Sequence, residues 1–388
     1  MRFSKNEMDS IQTAFARQLE DVKKKIKPAR WVIAYSGGVD STVLLHLISN
    51  IVKDLPILAI HIDHGLSDFS HVWAKECSNF ASSLNVDFKI LKVHVSNKRE
   101  HGLEAAARYS RYKALRDCMK EDDCLLTAHH QDDQAETLLL NLMRGSGVLG
   151  LSGIQKLQSF EPGSLFRPLL RVSRINIERF AIHKKLSWIE DSSNGDINLR
   201  RNFLRQKIVP SFKIHWPSAS ISIAQSAEFL ADAKDLIAEL AEIDLQKCGT
   251  KNKLSLDIFC SMSRSRQWNL LRYISSLHCL KPPSRKKLFQ ITEELIKAKE
   301  DRQPKVILDG VDIRRYRNNL YILPKEETYI PKPDVLFKND RSDIELGNGQ
   351  GRLSFVDSSL SGIDPKILMN GFVIRYRKGG EKIRLNQN

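Results

Sequence analysis

Trp31 to Ser49 reads WVIAYSGGVDSTVLLHLIS. Trp31 to Tyr35 is a short apolar strand, Ser36-Gly37-Gly38-Val39-Asp40-Ser41 a small-residue loop, and the remainder has the apolar spacing of an amphipathic helix. Two adjacent glycines let the backbone turn sharply and come close to a ligand. Ser41 or Asp40 is placed to cap the helix. Backbone N–H groups and hydroxyls at a helix N-terminus form an anion site, whose usual occupant is phosphate. The loop lacks the Gly-Lys-Ser/Thr of the kinase-type phosphate loop and is not the dinucleotide G-x-G-x-x-G turn.

Working outward, Pro56 to His61 (PILAIH) reads as a second buried strand that ends in His61-Ile62-Asp63-His64-Gly65-Leu66. In parallel sheets the C-terminal strand ends line the ligand crevice, so His61 and Ile62 are expected to shape a nucleotide pocket rather than to hold a metal. A further strand is expected at Asp87 to Val95, and a helix from Gly102 to Met119 that sets Glu104 and Arg108 one turn apart.

Cys124 to Thr137 is the second constellation, an apolar strand followed by His129-His130-Gln131-Asp132-Asp133-Gln134-Ala135-Glu136. If the helix extends back that far, His129, Asp133 and Glu136 share one side, facing the crevice. Ala135, Leu138, Leu139 and Leu142 fall on the other, as the expected core side. Acids favour a helix N-terminus in any case, but three of them behind two histidines exceed what capping needs. Arg201 and Arg205, four apart on a later helix, could track a nucleic-acid backbone.

The chain has 388 residues, enough for two or three domains. Its formal charge of +15 points to a polyanionic partner. Residues 251–324 hold 16 Lys or Arg against 7 Asp or Glu, and Arg314, Arg315 and Arg317 sit there between two expected strands. This segment is the expected nucleic-acid docking surface. The six cysteines form no CxxC pair, which argues against a zinc or redox motif and for buried thiols in a reducing compartment. With no signal-peptide core and no run of membrane-spanning length, a cytoplasmic protein is expected, without a membrane partner.

Together the motifs resemble those of the bacterial tRNA(Ile)-lysidine synthetases, a family of PP-loop ATP pyrophosphatases. The resemblance runs through SGGVDS (36–41), HIDHGL (61–66), GLEAAARYSRY (102–112), TAHHQDDQAETLLLNLMRGSG (127–147), RPLL (167–170), WIEDSSN (188–194), RRNFLR (200–205) and YRKGGEKIR (376–384). It implies an α/β fold with a doubly wound, mostly parallel sheet at residues 1–213. A mainly helical, basic tRNA-binding domain is expected at 214–326, and a small β-rich domain at 327–388 that ends sooner than the family's usually does. The implied chemistry is adenylation of C2 of the wobble cytidine in a tRNA(Ile) with a CAU anticodon, then attack by the ε-amine of free lysine. ATP is the implied co-substrate, bound by residues 36–41 with His61 and Ile62, and Mg²⁺ the implied metal, at Asp40 and Asp133. Asp40, Arg108, His129, Asp133 and Glu136 are the implied catalytic set. Arg201, Arg205, Arg314, Arg315 and Arg317 are the expected tRNA contacts, and a homodimer is compatible with this reading. The competing readings are a tRNA-thiolating PP-loop enzyme, which the lack of CxxC argues against, and a non-catalytic tRNA- or ATP-binding module.

Overall fold

A computed structural model describes residues 5–324 except 66–68, 94–102, 192–194, 299–304 and 309, together with 335–337, 343–345, 352–354, 356 and 372–374. The chain divides into two compact units, Met1–Ile243 and Asp244–Asn388. No helix among the described residues is long and apolar enough to cross a membrane.

The first unit runs α1 (Lys5–Ile26), β1 (Arg30–Ala34), α2 (Val39–Ile51), β2 (Ile57–Asp63), α3 (Ser70–Ser83), β3 (Asp87–Lys92), α4 (Leu103–Cys118), β4 (Asp123–Leu126), α5 (Gln131–Met143), β5 (Leu157–Phe160), β6 (Gly163–Phe166) and α6 (Arg174–His183). The strands form one sheet in the order β3-β2-β1-β4-β6-β5. Every neighbouring pair is parallel except β5 with β6.

Both faces of this sheet are covered, so β1 and β4 are apolar at consecutive positions rather than at alternate ones, apart from the paired Arg30 and Asp123 at their starts. Trp31 and Ile33 of β1 join the core made with α1, α2, α3 and α6, whereas Val32 joins the opposite core under α4. β4 divides likewise, Cys124 and Leu126 to one face and Leu125 to the other. The expected doubly wound arrangement follows from this two-sided burial.

β2 leaves β1 on one side and β4 pairs with it on the other. The strand order reverses there, and a crevice opens beyond the strand ends. The loop after β1 and the segment after β4 therefore emerge side by side. On its other edge β4 is approached closely by β6. A Cβ on Gly163 would lie 2.0 Å from the carbonyl oxygen of Asp123 at the start of β4.

After α6 the segment 200–215 is helical, with a π turn at Leu204–Ile208. α7 (Ala219–Cys248) is a continuous 30-residue helix. In the second unit β7 (Gly249–Thr250), β8 (Lys253–Ser255), β9 (Lys305–Leu308), β10 (Val311–Tyr316) and β11 (Asn319–Pro324) form an antiparallel sheet ordered β7-β8-β11-β10-β9. Helices α8 (Leu256–Ser261), α9 (Arg264–Leu277) and α10 (Arg285–Phe289) lie between its strands in sequence. One core, which includes Phe259, Leu270, Ile274, Leu288, Ile313 and Leu320, joins sheet and helices. The basic segment is thus helical with a five-stranded sheet of its own. Farther on, Val335–Phe337 pairs with Phe372–Ile374 and Ile344–Glu345 with Arg352–Leu353. Leu66, Gly102, 192–194 and the whole of 376–384 lie outside the described residues.

Gly163→Ala should push β6 off β4 and lower stability by about 1–3 kcal/mol, the usual cost of overpacking. Chemical denaturation would measure this, and an unchanged midpoint would show that the two strands separate without cost.

Candidate active site

The loop between β1 and α2 is held by its own polar groups. Ser36 and Ser41 share a hydrogen bond of 3.1 Å between their hydroxyls, and the Ser41 hydroxyl can also donate to the Gly38 carbonyl at 3.0 Å. Thr42 Oγ1 donates to the Gly37 carbonyl, which also accepts from the Ile189 N–H at 2.9 Å. The helix begins two residues earlier than an Asp40 cap requires and three earlier than a Ser41 cap requires. Gly38 is the N-cap, without a capping side chain, and Asp40 lies in the first turn. This leaves the N-terminal amides of α2 without a side-chain acceptor, which suits an anion. Gly37 has φ +88°, and a Cβ there would lie 2.6 Å from Ile189 Cδ1 and 2.7 Å from Cys77 Sγ. Glycine at 37 is therefore demanded by backbone angle and by space. Val39 is buried in the core, so it anchors the loop rather than facing a ligand. A cavity of about 410 Å³, with Tyr35, Phe80 and Trp188 in its wall, borders the loop at Gly37.

Beyond β4 the structure departs from the expected helix. α5 starts at Gln131, so His129 lies before it and does not share its face. His130 is the N-cap in a reciprocal capping box. Its Nδ1 accepts from the Asp133 N–H at 3.4 Å, while its backbone N–H donates to Asp133 Oδ2 at 3.0 Å. With Nδ1 accepting, the ring proton sits on Nε2, which points at Asp133 Oδ2 (3.4 Å) and Asp40 Oδ1 (3.8 Å). His130 thus links the acid helix to the phosphate-type loop.

α5 is buried on both sides near its start: Ala135 and Leu138 lie in the interior as expected, and so do the acids. Asp133 is 8% exposed and Glu136 2%, whereas Leu142, expected in the core, is 47% exposed. Buried carboxylates must be paired, and the 200–208 segment supplies the partners. Arg201 donates from Nε to Glu136 (2.8 Å) and from Nη2 to Asp133 (3.1 Å). Arg205 donates to both Glu136 oxygens (2.7 and 3.1 Å) and to Asp133 Oδ1 (3.1 Å). Burial works against the Asp133 charge, but His130, Arg201, His129 and Arg205 outweigh it and hold the carboxyl below its ordinary range. Arg201 and Arg205, expected to meet a nucleic-acid backbone, are thus committed to the acids of α5.

Arg174 closes the arrangement. Its Nη1 donates to Asp40 Oδ2 at 2.7 Å, and its backbone N–H donates to Asp132 at 2.9 Å. Lys213 also pairs with Asp132, at 3.1 Å. Burial pushes the Asp40 carboxyl up, against the pull of His130 and Arg174. Its Oδ1 is buried without a hydrogen-bond partner.

The remaining expected residues lie around this centre. His61 Nδ1 donates to the Tyr35 carbonyl at 3.1 Å and so braces the end of β1. Ile62 packs against the core under α4. Arg108 is exposed and stacks on Tyr112, 5.0 Å from the ring centre. His129 Nδ1 is 2.8 Å from the Thr127 hydroxyl. In the second unit Arg314 pairs with Asp312 at 2.9 Å. Arg315 donates to the carbonyls of Ile296 and Ala298, and Arg317 stacks on Tyr316. His130, Arg174 and Lys213 were missed as site residues. The spacing of His130 and Asp133 carried the cap signal, whereas Arg174 and Lys213 carried none, because their contacts span 134 and 81 residues.

Glu136→Ala would leave two guanidiniums facing one carboxylate. Arg205 is 38% exposed at its side chain, so the expected loss is about 2–3 kcal/mol, below that of a fully buried pair. A denaturation midpoint matching the parent's would show that the arginines re-solvate freely. A second outcome concerns pH. Burial, helped by Arg167, Arg108 and Arg201 and opposed by Asp133, pushes the His129 imidazole down from 6.5 to about 3. The unfolded chain binds a proton below about 6.5 that the folded residue refuses until about 3, so stability falls as pH drops through that window. His129→Asn should flatten the fall. His46, His61 and His64, also lowered by burial, would keep part of it. An unchanged slope in thermal unfolding from pH 7 to 4 would contradict the assignment.

Residues 11–212 match a family model described as a PP-loop domain, and residues 254–321 one described as the TilS substrate binding domain. The tRNA(Ile)-lysidine synthase of Alkalilimnicola ehrlichii is 38% identical over 359 residues, which are 92% of this chain and 80% of the relative. That of Nitrosomonas europaea is 35% identical over 371 residues, 94% and 80% of the two chains. Among solved structures, a U34-tRNA thiolase (NcsA) from Methanococcus maripaludis aligns with a TM-score of 0.50 at 17% identity, over 59% of this chain and 81% of the other. At that identity the thiolase speaks for the fold alone. With a phosphate-type loop and a capped acid helix meeting at the strand-order reversal, and relatives of this identity over most of its length, the chain belongs to the tRNA(Ile)-lysidine synthase family.

Proposed function

We propose that the chain converts the wobble cytidine of a tRNA(Ile) with a CAU anticodon to lysidine, using ATP and free lysine. The C2 oxygen of the cytidine attacks the α-phosphorus of ATP, the bond to the bridging oxygen breaks, and pyrophosphate leaves. The lysine ε-amine then attacks C2, the C2–O bond breaks, and AMP leaves. The observation that carries this reading is the meeting of the two motifs. Asp40 in the loop helix lies 2.7 Å from Arg174 and 3.8 Å from the His130 cap of the acid helix.

The loop amides and the hydroxyls of Ser36 and Ser41 are suited to hold the phosphates. Mg²⁺ fits Asp40, whose Oδ1 is buried without a hydrogen-bond partner. Such an ion commonly takes one or two carboxylates and completes its shell with phosphate oxygens and water. Bound there, it would neutralise charge on the departing pyrophosphate. Asp133 suits a metal less well, since one oxygen accepts from the His130 N–H and the other from both arginines.

Lysine recognition has to contend with those arginines. Asp133 and Glu136 already balance Arg201 and Arg205, so an incoming ammonium has to replace a guanidinium. Arg205 is the more exposed of the two, at 38% against 22%. Its charge also reaches Asp40. Swung off the acids, it would keep a partner on the loop side of the crevice. Lysine's ε-amine has a reference pKa of about 10.4 and must lose a proton before it attacks. His129, neutral well below pH 7, acts as a hydrogen-bonding group rather than a cation. The basic segment 251–324 overlaps the match to the substrate-binding domain and supports tRNA docking.

The test combines ATP, radiolabelled lysine and tRNA(Ile) with a CAU anticodon. Label in the tRNA with one AMP released per lysine is expected, and no label despite ATP and tRNA binding would leave only a binding module. Asp133→Asn retains an oxygen for the helix cap while removing the charge. It should cost roughly 100-fold or more in transfer with the fold intact by circular dichroism, and near-parental turnover would take Asp133 out of the site.

A further inference from the structure

Most arginines of the second unit whose surroundings are defined already have partners. Arg264 pairs with Glu293 at 2.6 Å, Arg266 with Asp244, and Arg314 with Asp312. Arg315 is tied to two backbone carbonyls. Two others stand apart. Arg272 lies on α9 one turn beyond Trp268, and Arg285 opens α10 with its guanidinium 5.6 Å from the centre of the Trp268 ring. Among the described residues neither has an acidic partner within ion-pair distance. They share the Trp268 neighbourhood, Arg272 one helical turn along from the ring that Arg285 covers, and burial, then the Arg285 charge, lowers the pKa of Arg272. Like charges held together in a folded unit raise its free energy until a counter-charge arrives.

The surroundings are aromatic and fixed. Trp268 Nε1 donates to Thr292 Oγ1 at 3.3 Å, which fixes the ring that carries Arg285. One turn beyond Arg285 on α10, Phe289 is 47% exposed, and Lys286 is exposed beside it. Guanidiniums without counter-ions beside an open aromatic ring are the means by which proteins hold an RNA backbone and stack an unpaired base.

We propose that Arg285, stacked on Trp268, and Arg272, one helical turn beyond that tryptophan, form with Phe289 an RNA-docking face, with the guanidiniums on backbone phosphates and the Phe289 ring against an unstacked base. The proposal rests on the tRNA reading above and narrows it to one face of the second unit. Arg314 and Arg315, whose groups are already committed within the protein, contribute less.

The experiment measures binding of full-length protein to a tRNA(Ile) transcript over a salt series, for the parent, R285E, R272E/R285E, F289A and R314E. R285E should weaken binding at least about tenfold at low salt and lower the salt slope by about one phosphate contact. The double variant should lower the slope by about two. F289A should weaken binding about tenfold with the slope unchanged, and R314E should have the smallest effect. Arg285 and Phe289 are exposed, so their single variants carry the test even if the double variant fails to fold, which circular dichroism would report. Parental affinity and slope in R285E, while the parent binds tRNA, overturns the proposal. So does loss of binding to an acidic peptide with tRNA binding kept, which would assign the face to a protein partner. Failure of the parent to bind tRNA would instead sink the functional reading beneath it.

Discussion

β1 and β4 run parallel and in contact from Arg30↔Asp123 to Ile33↔Leu126, and the site depends on that pairing. Eighty-eight residues separate the ends of these two short strands in sequence, yet their C-termini emerge as neighbours. The Ser36–Ser41 loop and the His130 cap are therefore delivered to the same place by backbone geometry. The Arg30–Asp123 ion pair at the strand starts and the seating of Trp31 in one core mark the register. A slip of one residue would turn each side chain to the opposite face.

A second constraint follows from burial. Once α5 turns Asp133 and Glu136 inward, the carboxylates need cations, because an unpaired buried charge is strongly destabilising. Arg201 and Arg205 satisfy that need from a segment with a π turn. π turns recur at functional sites. The result is a neutral, tightly bonded cluster beside the N-terminal end of α2. Such a cluster can exchange one cation for another without changing its net charge, which suits the proposed admission of a lysine ammonium group.

The second unit uses charge differently. Its excess of basic residues is distributed over a folded core of helices and a five-stranded sheet. Some of these cations are internal, such as Arg315 on its carbonyls. Others have no acidic neighbour, such as Arg272 and Arg285. Only the latter hold electrostatic attraction in reserve for a polyanion, so net charge overstates the surface available for docking.

Much of the fold was legible in the chain itself. Continuous apolar runs marked buried parallel strands, paired glycines marked the sharp turn after β1, and basic composition pointed to a polyanionic partner for the second unit. These features are local, and local sterics and hydrophobic periodicity act within a few residues. What lay beyond sequence was which charges meet. Asp133 and Glu136 stood out as candidate site acids, but their burial against Arg201 and Arg205 did not, nor did the contact of Arg174 with Asp40 across 134 residues. Helical spacing assigned Leu142, which is 47% exposed, to the core and gave no sign that the acids would be buried, because it reports periodicity and not what will pack against each side. Pairing between distant charges is decided when the strand order reverses and the faces close, and only the tertiary structure carries that information.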